Sequence, residues 1–212
     1  WKEFFEGLGF ECIFSPESDR RILEKGTGRA IDETCLPFKM YLGHVMELIG
    51  KCDTIFVPRT GGYRTTEKMC TRYEPRKDKK TGEKVVFFGK ETSGNPAEEQ
   101  GKAQLKLLES EKTRVLLAGH PYVLHDAYMG GELVRILENL GAVALYTDYV
   151  NRENALKRSY EFSRVMPWII NREVTGAAML MKKKVDGIVI VSAYPCGPDS
   201  LVNDMLVRRL KD

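Results

Sequence analysis

The 212-residue chain has no cysteine pair in a Cys-x-x-Cys arrangement, so the local ligand spacing of zinc ribbons and ferredoxins is missing. It has no Gly-x-Gly-x-x-Gly run after a strand and no Gly-x-x-x-x-Gly-Lys-Ser/Thr loop. A nicotinamide fold and a P-loop ATPase would each lack their phosphate cradle. No Gly-x-Ser-x-Gly marks a hydrolase nucleophile. No apolar run approaches the roughly 20 residues that cross a bilayer, and no signal peptide is visible. The formal net charge of +3 is too small to point to nucleic acid. The five cysteines are odd in number and not closely paired, which favours a reducing cytoplasm over a disulfide framework.

What is present is a globular composition, 42% apolar and 30% charged, in a chain long enough for one large or two small domains. The sequence begins without methionine, directly in the helix-like WKEFFEGL, and stops after another helix-like stretch. An open parallel sheet would continue with a strand beyond each end, so the expectation is a fragment of a longer polypeptide.

Three segments follow from composition: an N-terminal α/β lobe at 1–75, a basic linker or hairpin appendage at 76–111, and a C-terminal α/β lobe at 112–212. In the first, helical spacing of Trp1, Phe4, Phe5 and Leu8 predicts a helix closed by Gly9. FECIF (10–14) and DTIFV (53–57) read as strands, separated by helices at 18–26 and 36–50, with Ser18 or Asp19 near one cap and Pro37 in the first turn of the other. In the second, RKDKKTGEK is a solvated basic turn, and VVFF (85–88) reads as half of a hairpin leading to a polar helix. In the third, strands at 114–119, 142–148 and 185–192 alternate with helices at 126–141, 171–183 and 199–210, with an irregular stretch after residue 148. Strand–helix–strand order with short crossovers requires parallel pairing, and apolar runs without alternation fit strands covered on both faces. The expected fold is α/β, with flavodoxin- or Rossmann-like three-layer units around parallel sheets.

That fold puts strand C-termini and helix N-termini on one edge, where ligands bind. Cys35 precedes a helix start; Cys196, framed by Pro195 and Pro198, lies between a strand and a helix; Cys70 lies in the loop leaving the 53–57 segment. Thiolates on stiff loops can hold a soft metal or an iron–sulfur cluster, and three of them leave one metal position open. His120 and Arg59 follow strands onto the same edge and are candidates to contact a cofactor; His120 reads as a ligand, an acid or, more readily than either, a loop-bonding residue. Glu33 and Lys39 flank Cys35. Cys12 and Cys52 read as packing residues, His44 as a satisfied core histidine beside Met40 and Leu48, and His125 as a residue that caps or precedes a helix.

The runs DETCLPFKMYLGHV (32–45), DTIFVPR (53–59), LLAGHPYVLHDAY (116–128) and SAYPCGPDSLV (192–202) resemble the uncharacterised domain attached to CoA-substrate-specific enzyme activases, which is related to 2-hydroxyacyl-CoA dehydratase subunits. The resemblance implies flavodoxin-like α/β domains and a [4Fe–4S] cluster held by three cysteines, here Cys35, Cys70 and Cys196. It implies an ATP-dependent activase or dehydratase subunit as partner and a CoA thioester as substrate of the group, in anaerobic metabolism. The departure from the family falls at 71–112: Cys70 is followed by Thr71 where relatives carry a cysteine–proline pair, and the connection is shorter and more basic. The expected function is low-potential electron transfer in a dehydratase-related component. The alternatives are a non-catalytic α/β module that docks an activase or CoA-thioester enzyme, and a flavodoxin-like binder of a small anion.

Overall fold

A computed structural model describes residues 1–57 and 96–211. Its centre is a three-stranded, fully parallel sheet formed by β1 (Arg114–Gly119), β2 (Val143–Tyr146) and β3 (Gly187–Val191), in the order β2-β1-β3. β1 is the middle strand: Arg114 pairs with Val143 through Leu117 with Tyr146 on one side, and Val115 with Gly187 through Gly119 with Val191 on the other. Side chains of a strand alternate between faces, so β1 feeds two cores. Val115 and Leu117 pack with Leu124, Leu137 and Ala142 on one face; Leu116 packs with Leu145, Ala178, Met181 and Leu206 on the other.

The helices complete the layers. α5 (Pro121–Leu124) and α6 (Gly131–Asn139) connect β1 to β2, while α7 (Arg152–Phe162) and α8 (Ile169–Met181) connect β2 to β3, and α9 (Gly197–Lys211) follows β3. Leu137 of α6 belongs to the first core, and Ala178 of α8 and Leu206 of α9 to the second. The chains leaving β1 and β3 therefore turn to opposite faces, and the crevice between those two strand ends is the topological switch point of the sheet. The α/β, Rossmann-like parallel architecture is as expected.

Upstream lie α1 (Lys2–Gly7), α2 (Arg20–Thr27) and α3 (Leu36–Leu48), and α4 (Pro96–Leu107) precedes the sheet. Asp19 caps α2 by accepting the Ile22 N–H at 2.7 Å, and Pro37 sits in the first turn of α3, where its missing N–H costs nothing. α2 and α3 cross in close backbone contact: a Cβ on Gly26 would stand 1.7 Å from the Lys39 carbonyl oxygen, and one on Gly43 would stand 2.0 Å from that of Ile22.

Three local expectations are corrected. FECIF (10–14) and DTIFV (53–57) are not strands, and Phe10, Ile13, Phe14, Phe56 and Val57 are exposed. A strand needs a neighbour for its backbone N–H and C=O groups, and among the described residues none lies beside them. The stretch after 148 is not irregular: it carries α7, capped by Asn151 accepting from Asn154 N at 3.0 Å. The helix expected over 126–141 begins at Gly131, because the Asp126 carboxylate turns the chain first, accepting from Tyr128 N and Met129 N at 2.9 and 2.8 Å.

Candidate functional site at the switch point

β1 ends at Gly119 and delivers His120 to the N-cap position of α5. Gly119 is required there: a Cβ would stand 2.5 Å from the Val191 carbonyl oxygen of β3. β3 runs into Tyr194, a cis peptide to Pro195, Cys196, and then the first turn of α9, which carries Asp199. Asp199 Oδ1 is 2.9 Å from His120 Nε2 and accepts from Asn171 Nδ2 of α8, also at 2.9 Å. The aspartate is only 3% exposed. Burial alone would raise its carboxyl, but the bonds from His120 and Asn171, with the Cys196 thiol, hold it below the ordinary value. With Nε2 engaged by a carboxylate, His120 Nδ1 is buried and has no partner among the described residues. This arrangement fixes the ring and its tautomer and leaves one nitrogen lone pair uncommitted.

Cys196 lies beside this pair. Burial raises its thiol first; the Asp199 backbone N–H bond favours the thiolate, and the Asp199 carboxylate and Cys35 oppose it. Cys35 occupies the N-cap position of α3 without making a side-chain cap bond. The two cysteine loops are joined by Leu36 N donating to Tyr194 O at 3.3 Å. Tyr122 of α5 completes the group, with its ring centroid 5.0 Å from that of His120. Its phenol is pushed up by burial, then by Asp199, Cys196 and Cys35, so it stays protonated and able to donate. A depression of about 520 Å³ opens at this seam, lined by Asp32, Glu33, Thr34, Leu36 and Lys39 on one side and Tyr194 and Pro195 on the other.

The predicted site residues divide accordingly. Cys35, Cys196 and His120 come to one edge from distant parts of the sequence. Cys70 and Arg59 lie outside the described residues. Among the described residues no group of three or more His, Cys, Asp or Glu side chains gathers that could hold a metal ion. The two thiols are soft donors suited to iron, but the described residues do not complete a ligand set. Lys39 donates to the Asp32 carbonyl at 2.9 Å, bracing the Cys35 loop. Cys52 bonds back to Leu48 O at 3.6 Å, as a packing residue does. His125 is the C-cap residue of α5; it bonds Asp148 Oδ2 at 2.7 Å and stacks on Tyr149.

Asp199, Asn171 and Tyr122 were not anticipated. The signals for them are modest: an aspartate three residues after Cys196, an asparagine at the head of the apolar stretch of α8, and a tyrosine two residues after His120. Polar groups that end up buried need partners, and Asn171 and Asp199 supply each other's.

The fold and this edge define a Rossmann-like α/β protein with its polar chemistry gathered at the β1/β3 switch point. Residues 1–75 match the family model of the CoA enzyme activase uncharacterised domain, a stretch that holds α1 to α3 and Cys35. No curated protein and no solved structure matches the chain. Among the described residues, no helix is long and apolar enough to cross a membrane.

Proposed function

We propose that the chain is an iron–sulfur protein of the 2-hydroxyacyl-CoA dehydratase/activase group, handling low-potential electron transfer for CoA-thioester chemistry in anaerobic metabolism. Cys35, Cys196 and Cys70 are the thiolate ligands in this reading, and an ATP-dependent activase or dehydratase subunit is the partner. The observation that carries it is the meeting of the Cys35 and Cys196 loops at the switch point, joined by the Leu36–Tyr194 bond. The activase-domain match over residues 1–75 supports the same group.

A cluster held by these thiolates would supply one-electron transfer and Lewis acidity. The chain's own residues supply the surroundings. The Asp199 N–H donates to the Cys196 sulfur and favours its thiolate, a contact of the kind that tunes cluster potential. His120 is locked by Asp199 with Nδ1 uncommitted. Tyr122 contributes a protonated phenol beside His120.

The test is anaerobic reconstitution with ferrous iron and sulfide, followed by iron and sulfide counting and EPR of the reduced protein. The parent is expected to load both in equal numbers, and Cys35→Ala and Cys196→Ala each to lose most of the load. Variants that bind as much cluster as the parent would overturn the reading.

A second reading is a non-catalytic module that docks an activase or a CoA-thioester enzyme. It is favoured by the exposed aromatic group of α1 and its neighbours: Trp1 and Phe5 lie 4.9 and 5.0 Å from Phe56, and Trp1, Phe4, Phe10 and Phe56 are all at least half exposed or nearly so. Association with the activase that survives replacement of all three site cysteines, but not Phe10→Ser with Phe56→Ser, would select it.

A further inference from the structure

The helices that carry Cys35 touch the sheet unit at a second point, away from the cysteines. Ser18, just before the Asp19 cap of α2, places its hydroxyl between Asp126 Oδ2, in the turn after α5, and His44 Nε2, on α3 at 3.0 Å. Donor counting fixes the direction of this chain. A carboxylate only accepts; Asp126 Oδ1 takes the Tyr128 and Met129 N–H groups, and Oδ2 takes the Ser18 hydroxyl hydrogen. The Ser18 oxygen must then accept from His44 Nε2–H. His44 Nδ1 is buried without a partner, which agrees with that nitrogen being the bare one of the ring.

The geometry makes the hydroxyl a coupling point. α2 and α3 are locked to each other at Gly26 and Gly43 and turn as one body. His44 stands nine positions along from Cys35, about 13 Å along the helix axis. With Leu36–Tyr194 at one end and Ser18–Asp126 at the other, the pair is fixed in orientation as well as in place. The first of these bonds is long, at 3.3 Å. The second is charge-assisted and the stronger kind.

We propose that Ser18, gripped by Asp126 and His44, is a positioning residue that sets the Cys35 thiol against the Cys196 thiol. This rests on the reading of those two cysteines as a functional pair, but it does not require iron. Removal of the hydroxyl takes away one of these two hydrogen bonds between the α2–α3 body and the sheet unit, and the two thiols sample a wider range of separations.

The test is made on the full chain without metal, by reaction with a short bismaleimide and mass-spectrometric mapping of the Cys35–Cys196 bridge. The parent is expected to bridge readily. Ser18→Ala should form the bridge at least about fivefold more slowly, as loss of a charge-assisted bond implies, with unchanged helical circular dichroism and unchanged single-thiol labelling of each cysteine. Ser18→Thr, which keeps the hydroxyl, should recover the parent rate. His44→Leu, which leaves the Ser18–Asp126 bond but frees α3 from it, should slow bridging as well and serves if Ser18→Ala fails to fold. A parent that forms no bridge, or a folded variant of either kind that bridges at the parent rate, overturns the proposal. Failure of iron loading in the parent with these rates as expected would instead reject the cluster reading alone.

Discussion

Residues 1–57 and the sheet unit at 96–211 bury their chain by different means. The sheet unit is built on apolar side chains: Leu116, Leu117 and Leu145 are at most 1% exposed and sit on both faces of β1. The upstream helices bury Ile22 and Met40, but much of their cohesion is backbone proximity at two glycines and one carboxylate, Glu47, shared by three cations. Arg21 reaches Glu47 at 2.6 Å, Lys51 at 2.5 Å, and Lys25 bonds it too. Many of its aromatics, Phe4, Phe10, Phe14 and Phe56 among them, stay exposed. A parallel sheet offers every apolar run a partner and a cover. A helix pair offers only a stripe.

The largest test of that contrast compares two fully buried side chains. Leu116→Ala should destabilise the sheet unit by about 2–5 kcal/mol, the range for a large-to-small change in a packed core. It should lower the main denaturant midpoint followed by circular dichroism. Ile22→Ala removes a comparable side chain, yet its effect should be confined to α2 and α3, seen as faster amide exchange there while β1 to β3 keep their protection. Equal loss of protection in both regions would merge them into one cooperative unit.

Next come the glycines. A Cβ on Gly26 would meet Lys39 O at 1.7 Å, and one on Gly176 of α8 would meet Ala155 O of α7 at 1.8 Å. Alanine gains up to about 1 kcal/mol of helix propensity over glycine, but backbone cannot yield as a side-chain end can. Overpacking costs of about 1–3 kcal/mol should dominate. Gly176→Ala should be the more damaging, because both helices there also cover the sheet core, whereas α2 and α3 contribute no residue to it. Thermal unfolding of the two variants side by side gives the answer.

The same contrast explains what was legible in the sequence. β1, β2, β3, α8 and α9 stand out because uninterrupted apolar runs separated by short loops leave little choice but a covered parallel sheet. FECIF and DTIFV look just as strand-like, but β-propensity states only that a segment suits a pleated surface; it cannot supply the neighbouring strand. α7 was hidden for the opposite reason. Its RENALKRSYEF run has too few apolar residues to show a period, and it is held by its Asn151 cap and by Gly176 passing close to Ala155. For the site, alternation of strand and helix in the sheet unit was enough to bring Cys196 and His120 to one edge; Cys35 was assigned to it through strands at 10–14 and 53–57 that do not form, and its loop meets the edge through the Leu36–Tyr194 bond instead. It could not show that Asp199 and Asn171 point inward, since a polar residue in a first turn usually faces water. Cys70 and Arg59 fall outside the described residues.

Acid should separate the regions less strongly. Glu47 is held down to about 2 by bonds from Lys25 and Lys51, then Arg21, and Asp186 at the foot of β3 to about 2 by the Arg114 side chain, then by the Arg114 backbone N–H. Both values lie below the ordinary 4.5 and 3.8, so each group's contribution is complete above its unfolded value and fades as pH falls toward 2. Glu47→Gln should flatten the acid dependence of α2–α3 amide exchange between about pH 4.5 and 2 and leave that of the sheet unchanged. Asp186→Asn should do the reverse. A single acid transition that neither variant alters would assign acid sensitivity to other groups.

The smallest expected effects come from two matched helix caps. Asp19 Oδ1 accepts the Ile22 N–H at 2.7 Å in one region, and Asn151 Oδ1 accepts the Asn154 N–H at 3.0 Å in the other. Truncation of an N-cap to alanine costs about 1 kcal/mol in either setting. The local cost is therefore similar, and the main difference is what stands behind each cap. α7 is propped by α8 along its length, so Asn151→Ala should lower global stability by about that amount with its helix intact. α2 is propped mainly by α3, and its first turn also places Ser18 against Asp126. Asp19→Ala should accordingly fray that turn, raising amide exchange at Ile22 and Leu23 and slowing the Cys35–Cys196 bridge, with little change in the global midpoint. If both alanine variants shift only the global midpoint and by equal amounts, the upstream helices are as firmly seated as the sheet's own.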